Sequence, residues 1–175
     1  TEEEAEVVTR FLVKANLAGH DSHGVIRIAQ YAKGIWKGEI VPGSATEVVV
    51  ETPSSALLNG NWGFGQVTGF RASKIAIEKA RSSTVSVICA YNCNHIGRLA
   101  DYTMMIAENG MIGIAMANSV KIVSPYGGID RMLSTGPLSY AFPTEKEVPF
   151  VLDIATSVCA EGKIRVSLHK GEKLP

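Results

Sequence analysis

The chain has 175 residues, 46% of them hydrophobic, and its 17 lysines and arginines balance 17 aspartates and glutamates. That is apolar material enough for one good-sized domain, alone or with a smaller lobe attached. The charge balance argues against nucleic acid or an anionic membrane as partner, no apolar run is long enough to span a bilayer, and the acidic start Thr1-Glu2-Glu3-Glu4 is the opposite of a secretory signal.

An amphipathic pattern from Glu3 to Ala18, with Val8, Phe11, Leu12, Ala15 and Ala18 three and four residues apart, predicts a helix stopped by Gly19. Asp21 or Ser22 is positioned to cap a second helix carrying Val25, Ile28, Ala29, Ala32, Ile35 and Trp36. Val41-Pro42-Gly43-Ser44 reads as a linker, which divides the chain into a helical segment 1–41 and an α/β remainder 42–175. Strands are expected at Glu47–Glu51 and Ala56–Leu58, and a helix at Gln66–Arg81 holding a four-spaced Lys74–Glu78 ion pair. Val85–Tyr91 has the composition of a strand covered on both faces. A helix ending at Asn109 follows, then strands at Met111–Ala117, Leu138–Phe142 and Pro149–Asp153. A last helix is expected from Ala155 toward Arg165. Cys89, Cys93 and Cys159 match neither a zinc site nor a redox pair, and buried free thiols in a reducing cytosol account for them. The missing initiator methionine is read as a sign of a trimmed start.

Reactive side chains are densest in Gly19-His20-Asp21-Ser22-His23-Gly24-Val25-Ile26-Arg27. His23 falls in the first turn of the second helix, and Arg27 one turn on and Tyr31 two turns on share its face. A guanidinium grips a carboxylate through two hydrogen bonds, and an imidazole one turn away takes or gives a proton on a neighbouring oxygen. The helix N-terminus favours a bound anion and a neutral His23. A small 2-hydroxy or 2-oxo acid suits this face. The alternative is a surface histidine beside a cap, with Arg27 and Tyr31 on an ordinary polar stripe. His95, Ser119, Thr135 and Asp153 fall at strand ends, where α/β folds keep their ligands, and Tyr31, Asp101 and Tyr102 are candidates to line a pocket.

Two patterns are set aside. Gly63-Phe64-Gly65-Gln66-Val67-Thr68-Gly69 has one residue too many for a dinucleotide fingerprint and no acid after the next strand, so a tight turn and close helix packing explain it better. His20 and His23 straddle a helix start with no second ligand cluster, so no metal is expected. His169, among lysines, reads as exposed.

Three segments, His20–Arg27, Asn94-His95-Ile96-Gly97 and Phe150–Ser157, resemble in order and spacing the type-2 malate/L-lactate dehydrogenase family, which also holds sulfolactate and ureidoglycolate dehydrogenases and cyclic imino-acid reductases. The chain resembles about the N-terminal half of a member. The resemblance implies an α/β (α+β) fold in which N-terminal helices accompany a largely antiparallel, non-Rossmann cofactor sheet of the L-sulfolactate dehydrogenase-like type. It implies an NAD- or NADP-dependent oxidoreductase moving a hydride to or from a small carboxylate substrate, in a cytoplasmic homodimer with sites near the subunit interface. By motif, His23 is the proton carrier, Ser22 assists it and Arg27 holds the carboxylate. His95 is an active-site residue or, with Ile96, Gly97, Arg98 and Leu99, touches the cofactor. Ser119, Thr135, Asp153, Ile154 and Ala155 line the nicotinamide. Lys163 stands where some imine reductases carry an acid, which favours a hydroxy-acid dehydrogenase. Ser134-Thr135-Gly136-Pro137 lacks the asparagine often found before that proline. The alternatives are a cyclic imino-acid reductase and a truncated, non-catalytic dimerising fragment.

Overall fold

The computed structural model describes residues 1–158 and 161–173, and of Glu161, Arg165 and His169 the backbone alone. Cys159 and the exposure of His169 therefore lie outside the described residues. Helix α1 (Glu2–Leu17) buries Val7, Val8, Phe11, Leu12 and Ala15 along one stripe, while Ala18 is its exposed C-cap. Two short 3-10 turns, Asp21–His23 and Val25–Arg27, lead into α2 (Ile28–Trp36). Strands β1 (Glu47–Glu51), β2 (Ser55–Asn59) and β3 (Val87–Tyr91) form one sheet, with helix α3 (Gly65–Ser83) as the crossover between β2 and β3. Helix α4 (Ala100–Ala107) precedes a second sheet of β4 (Gly113–Met116), β5 (Leu138–Phe142) and β6 (Phe150–Ile154), and α5 (Glu161–Lys170) follows.

The second sheet is wholly antiparallel, and in the first only β2 and β3 run parallel, as a helical crossover requires. Sequence expectation and structure agree on a mixed fold with small, mainly antiparallel sheets. Both apolar clusters draw on either side of the Val41–Ser44 link. Val7 and Phe11 pack with Leu99 and Tyr102, and Val8, Leu12, Tyr31 and Ile40 pack with Phe64 and Val67. The Glu4 carboxylate accepts the Gly43 N–H at 2.8 Å, tying α1 to the link.

Several expectations are corrected. The second helix is not continuous from Ser22, and neither Asp21 nor Ser22 caps it. Asn16 donates to Asp21 (2.5 Å) and accepts the Val25 N–H (2.9 Å), removing an amide a longer helix would use. Gly24 is extended there, and a Cβ on it would run into the Asn16 side chain. Lys74 lies over the Phe70 ring, 4.6 Å from its centroid, and makes no ion pair with Glu78. Strand β3 is an edge with Val87, Cys89, Ala90 and Tyr91 exposed, so it is covered by α3 on one face only, and the Cys89 thiol is exposed rather than buried. The last helix starts at Glu161, not Ala155, because Thr156 gives both its N–H and its hydroxyl to the Thr135 carbonyl. Among the described residues no helix is long and apolar enough to cross a membrane.

Candidate active site

The turn after α1 supplies the first half of the site. Ser22 and His23 lie in the first 3-10 turn, and Ser22 Oγ meets His23 Nδ1 at 3.0 Å. Arg27, in the second turn, folds back so that Nε donates to the Ser22 carbonyl (2.7 Å) and Nη1 to Gln30 Oε1 (2.7 Å). These bonds fix the plane of the guanidinium of Arg27, a residue that is 8% exposed. Helix α5 closes over this corner. A Cβ on Gly162 would sit 2.5 Å from Ser22 Cβ and 3.2 Å from Arg27 Nη2, so that approach needs glycine.

The second half comes from the loop between β3 and α4. His95 lies with its ring centroid 5.6 Å from that of His23, the planes 20° apart. Its Nδ1 is 2.8 Å from the Tyr31 hydroxyl, and Gln66 Nε2 donates to the same hydroxyl at 2.6 Å. The loop is held from behind by α3, since a Cβ on Gly65 would collide with the Asn94 and His95 carbonyl oxygens. Gly69 makes a second close approach, its Cβ position 2.7 Å from the Tyr102 ring. The glycine-rich run is therefore a turn and a packing device, as expected from its failed spacing.

Both imidazoles are uncharged at neutral pH. Burial first, then the Arg27 charge, pushes His23 down to about 4 and His95 to about 3. The expected neutral His23 is present, but its cause differs. The residue is in a 3-10 turn, not at the N-terminus of an α-helix, and desolvation with a guanidinium neighbour does what the dipole was expected to do. Burial likewise raises the Tyr31 phenol, so its proton stays on.

The remaining predicted residues separate by place. Asp153 on β6 accepts the Ala100 N–H at 2.8 Å, capping α4 beside the His95–Leu99 loop, and burial pushes its carboxyl above the ordinary value. Arg98 and Leu99 are buried, and Arg98 is spent on Asp101 (2.6 Å). Thr135 lines a cleft with Ile122, Val123, Ser157 and Ile164, and Ser119 is exposed beyond β4. Ile154 is exposed and Ala155 half-buried at the end of β6. Asp101 and Tyr102 do not line a pocket with Tyr31. Asp101 is 4% exposed between Arg98 and Lys14, and Tyr102 stacks on Phe11 at 5.1 Å and donates its hydroxyl to the Ile96 carbonyl. His20 is exposed, and no group of three His, Cys, Asp or Glu among the described residues could hold a metal ion. Sequence reasoning missed Gln66, Gln30, Asn16 and Gly162, none of which has a linear signature.

The chain matches the malate/L-lactate dehydrogenase family over residues 1–175 and belongs to it. It is 47% identical over 174 residues to the malate dehydrogenase of Pyrococcus abyssi, covering 99% of this chain and 48% of that protein. Among solved structures, the malate dehydrogenase of Entamoeba histolytica superposes with a TM-score of 0.96 at 33% identity, covering 100% of this chain and 49% of that one. The sulfolactate dehydrogenase of Methanocaldococcus jannaschii does so with 0.91 at 36% identity, covering 100% and 51%. The chain thus spans about half the length of the curated relatives it matches.

Proposed function

We propose that this chain carries the substrate clamp and proton carrier of an NAD- or NADP-dependent oxidoreductase acting on a small 2-hydroxy or 2-oxo acid of the malate, lactate or sulfolactate kind. One observation carries the reading: two uncharged imidazoles face each other across 5.6 Å beside a buried, plane-fixed guanidinium. A base must be unprotonated to take the hydroxyl proton as C2 is oxidised, and a carboxylate needs a positive partner to stay bound in a partly dry cleft.

In this account Arg27 holds the substrate carboxylate. His23 takes the proton from the C2 hydroxyl in oxidation and returns it in reduction, while Ser22 orients its ring through Nδ1. His95, backed by Tyr31, addresses the same oxygen, and Tyr31 closes the substrate side. The nicotinamide, when bound, supplies the hydride acceptor or donor. The residues present fit part of such a group. Thr135 opens onto a cleft of hydroxyls and branched apolar side chains suited to a flat aromatic ring, and Asp153, Ile154 and Ala155 run along its neighbouring strand end. Ser119 and the backbone of the His95–Leu99 loop would complete the hold, Arg98 and Leu99 through main-chain groups because their side chains are buried. Residues 1–41 are the substrate-side segment in this reading and 42–175 the cofactor side, and the whole protein is proposed to work as a cytoplasmic homodimer.

The direct test is Arg27→Ala. The loss of a buried charge partner for the substrate predicts a fall in kcat/KM of about 2–5 kcal/mol, expressed largely in KM. Unchanged kinetics would remove Arg27 from the site.

A further inference from the structure

We propose that Gln66 is a positioning residue: acting through the Tyr31 hydroxyl, it sets which ring nitrogen of His95 carries the proton. Gln66 is 0% exposed, in the first turn of α3. Its Nε2 donates to Tyr31 Oη at 2.6 Å, so that oxygen is already an acceptor. The phenolic hydrogen is then given to the other neighbour, His95 Nδ1 at 2.8 Å. A ring nitrogen that accepts carries no hydrogen, so the single proton of neutral His95 sits on Nε2. No described residue hydrogen-bonds that nitrogen, which leaves a directed N–H donor on the ring that faces His23.

With the amide as it stands, Tyr31 Oη could accept from both neighbours only by leaving its own buried hydrogen without an acceptor, and the other way to reverse the chain is to rotate the amide through half a turn. His95 Nδ1–H would then donate to Tyr31, and Tyr31 to Gln66 Oε1. That orientation leaves an amide nitrogen with both hydrogens unmet inside the protein, against one hydrogen and the oxygen unmet as it stands, and buried N–H groups are the less tolerated orphans. Gln66 Oε1 is the one buried side-chain polar atom without a partner among the described residues. A half-satisfied amide in a sealed position works against stability, and methionine would fill the same space without that penalty. A glutamine there is explained by what its nitrogen directs. Burial raises the Tyr31 phenol, so the hydroxyl between the two keeps the hydrogen the relay needs.

The consequence is a division of labour resting on the dehydrogenase reading above: His95 donates a hydrogen bond to the substrate's C2 oxygen, which leaves His23 to move the proton. The test does not depend on turnover. Nitrogen-15 spectra of histidine-labelled protein at neutral pH, with His95 assigned among the four histidines by its loss in His95→Asn, report each tautomer directly. The expected result is a pyridine-type Nδ1 and a pyrrole-type Nε2 for His95. In Gln66→Met, and independently in Tyr31→Phe, the two resonances should converge as the tautomers mix. A wild-type His95 protonated on Nδ1 overturns the inference whatever the variants do. So does an unchanged His95 pattern in folded Gln66→Met. An active enzyme with the wrong tautomer would sink this inference alone, and an inactive protein with the expected one would sink the dehydrogenase reading alone.

Discussion

Three side chains decide the chemistry of His95, two of them against it (His23 and Tyr31) and one, Gln66, through the Tyr31 hydroxyl, and they come from three separated stretches of chain. The sequence pointed to the first two by residue type. It was silent on Gln66, because a glutamine inside a glycine-rich run has no linear mark of what it touches. It also placed His23, Arg27 and Tyr31 on one helical face, whereas the structure gathers them through two 3-10 turns. The reason is local: the Asn16 amide takes the Val25 N–H that a longer helix would have used. Residue type was legible, and the route was not. At this scale His23→Ala should lower kcat by roughly a hundredfold or more, the usual worth of a positioned base. A larger loss in His95→Ala than in His23→Ala would show that His95, not His23, moves the proton.

At the level of elements, helix periodicity and strand composition located nearly every unit, and the misses fall where side chains or packing override pattern. Thr156 spends two donors on Thr135, so no helix can start at Ala155. Val87 and Tyr91 are as apolar as a buried strand's residues yet exposed, since composition records what a face could bury and not what lies against it. The contact between α3 and the His95 loop makes a sharper claim. Gly65→Ala would press a methyl group into two backbone carbonyls that cannot rotate away. Overpacking of this kind costs about 1–3 kcal/mol, or roughly 2–12 °C in Tm for a chain of this size. A Tm equal to the parent's would show that the helix and loop are not in the contact described.

For the molecule as a whole, the two uncharged histidines link the site to stability. In the unfolded chain each takes up a proton near 6.5, while in the fold His23 resists to about 4 and His95 to about 3. Between those values the unfolded state binds more protons, so stability is full above pH 6.5 and falls as the pH drops toward 4. The slope approaches about 1.4 kcal/mol per pH unit for each ring. Asp153 acts in the opposite sense at the low end, because a carboxyl raised above 3.8 is protonated sooner in the fold. Urea midpoints measured at pH 7.5 and pH 5 should therefore differ clearly, with the lower pH less stable. A flat profile would mean the imidazoles are solvated in the native state.

The measurement closest to the central claim follows nicotinamide absorbance when the protein is mixed with NADH or NADPH and a panel of small 2-oxo acids. The account predicts oxidation of one cofactor with at least one such acid, lost when His23 and Arg27 are both alanine. Oxidation that persists undiminished in that double variant, or none with any acid in a protein that binds the cofactor, would contradict it.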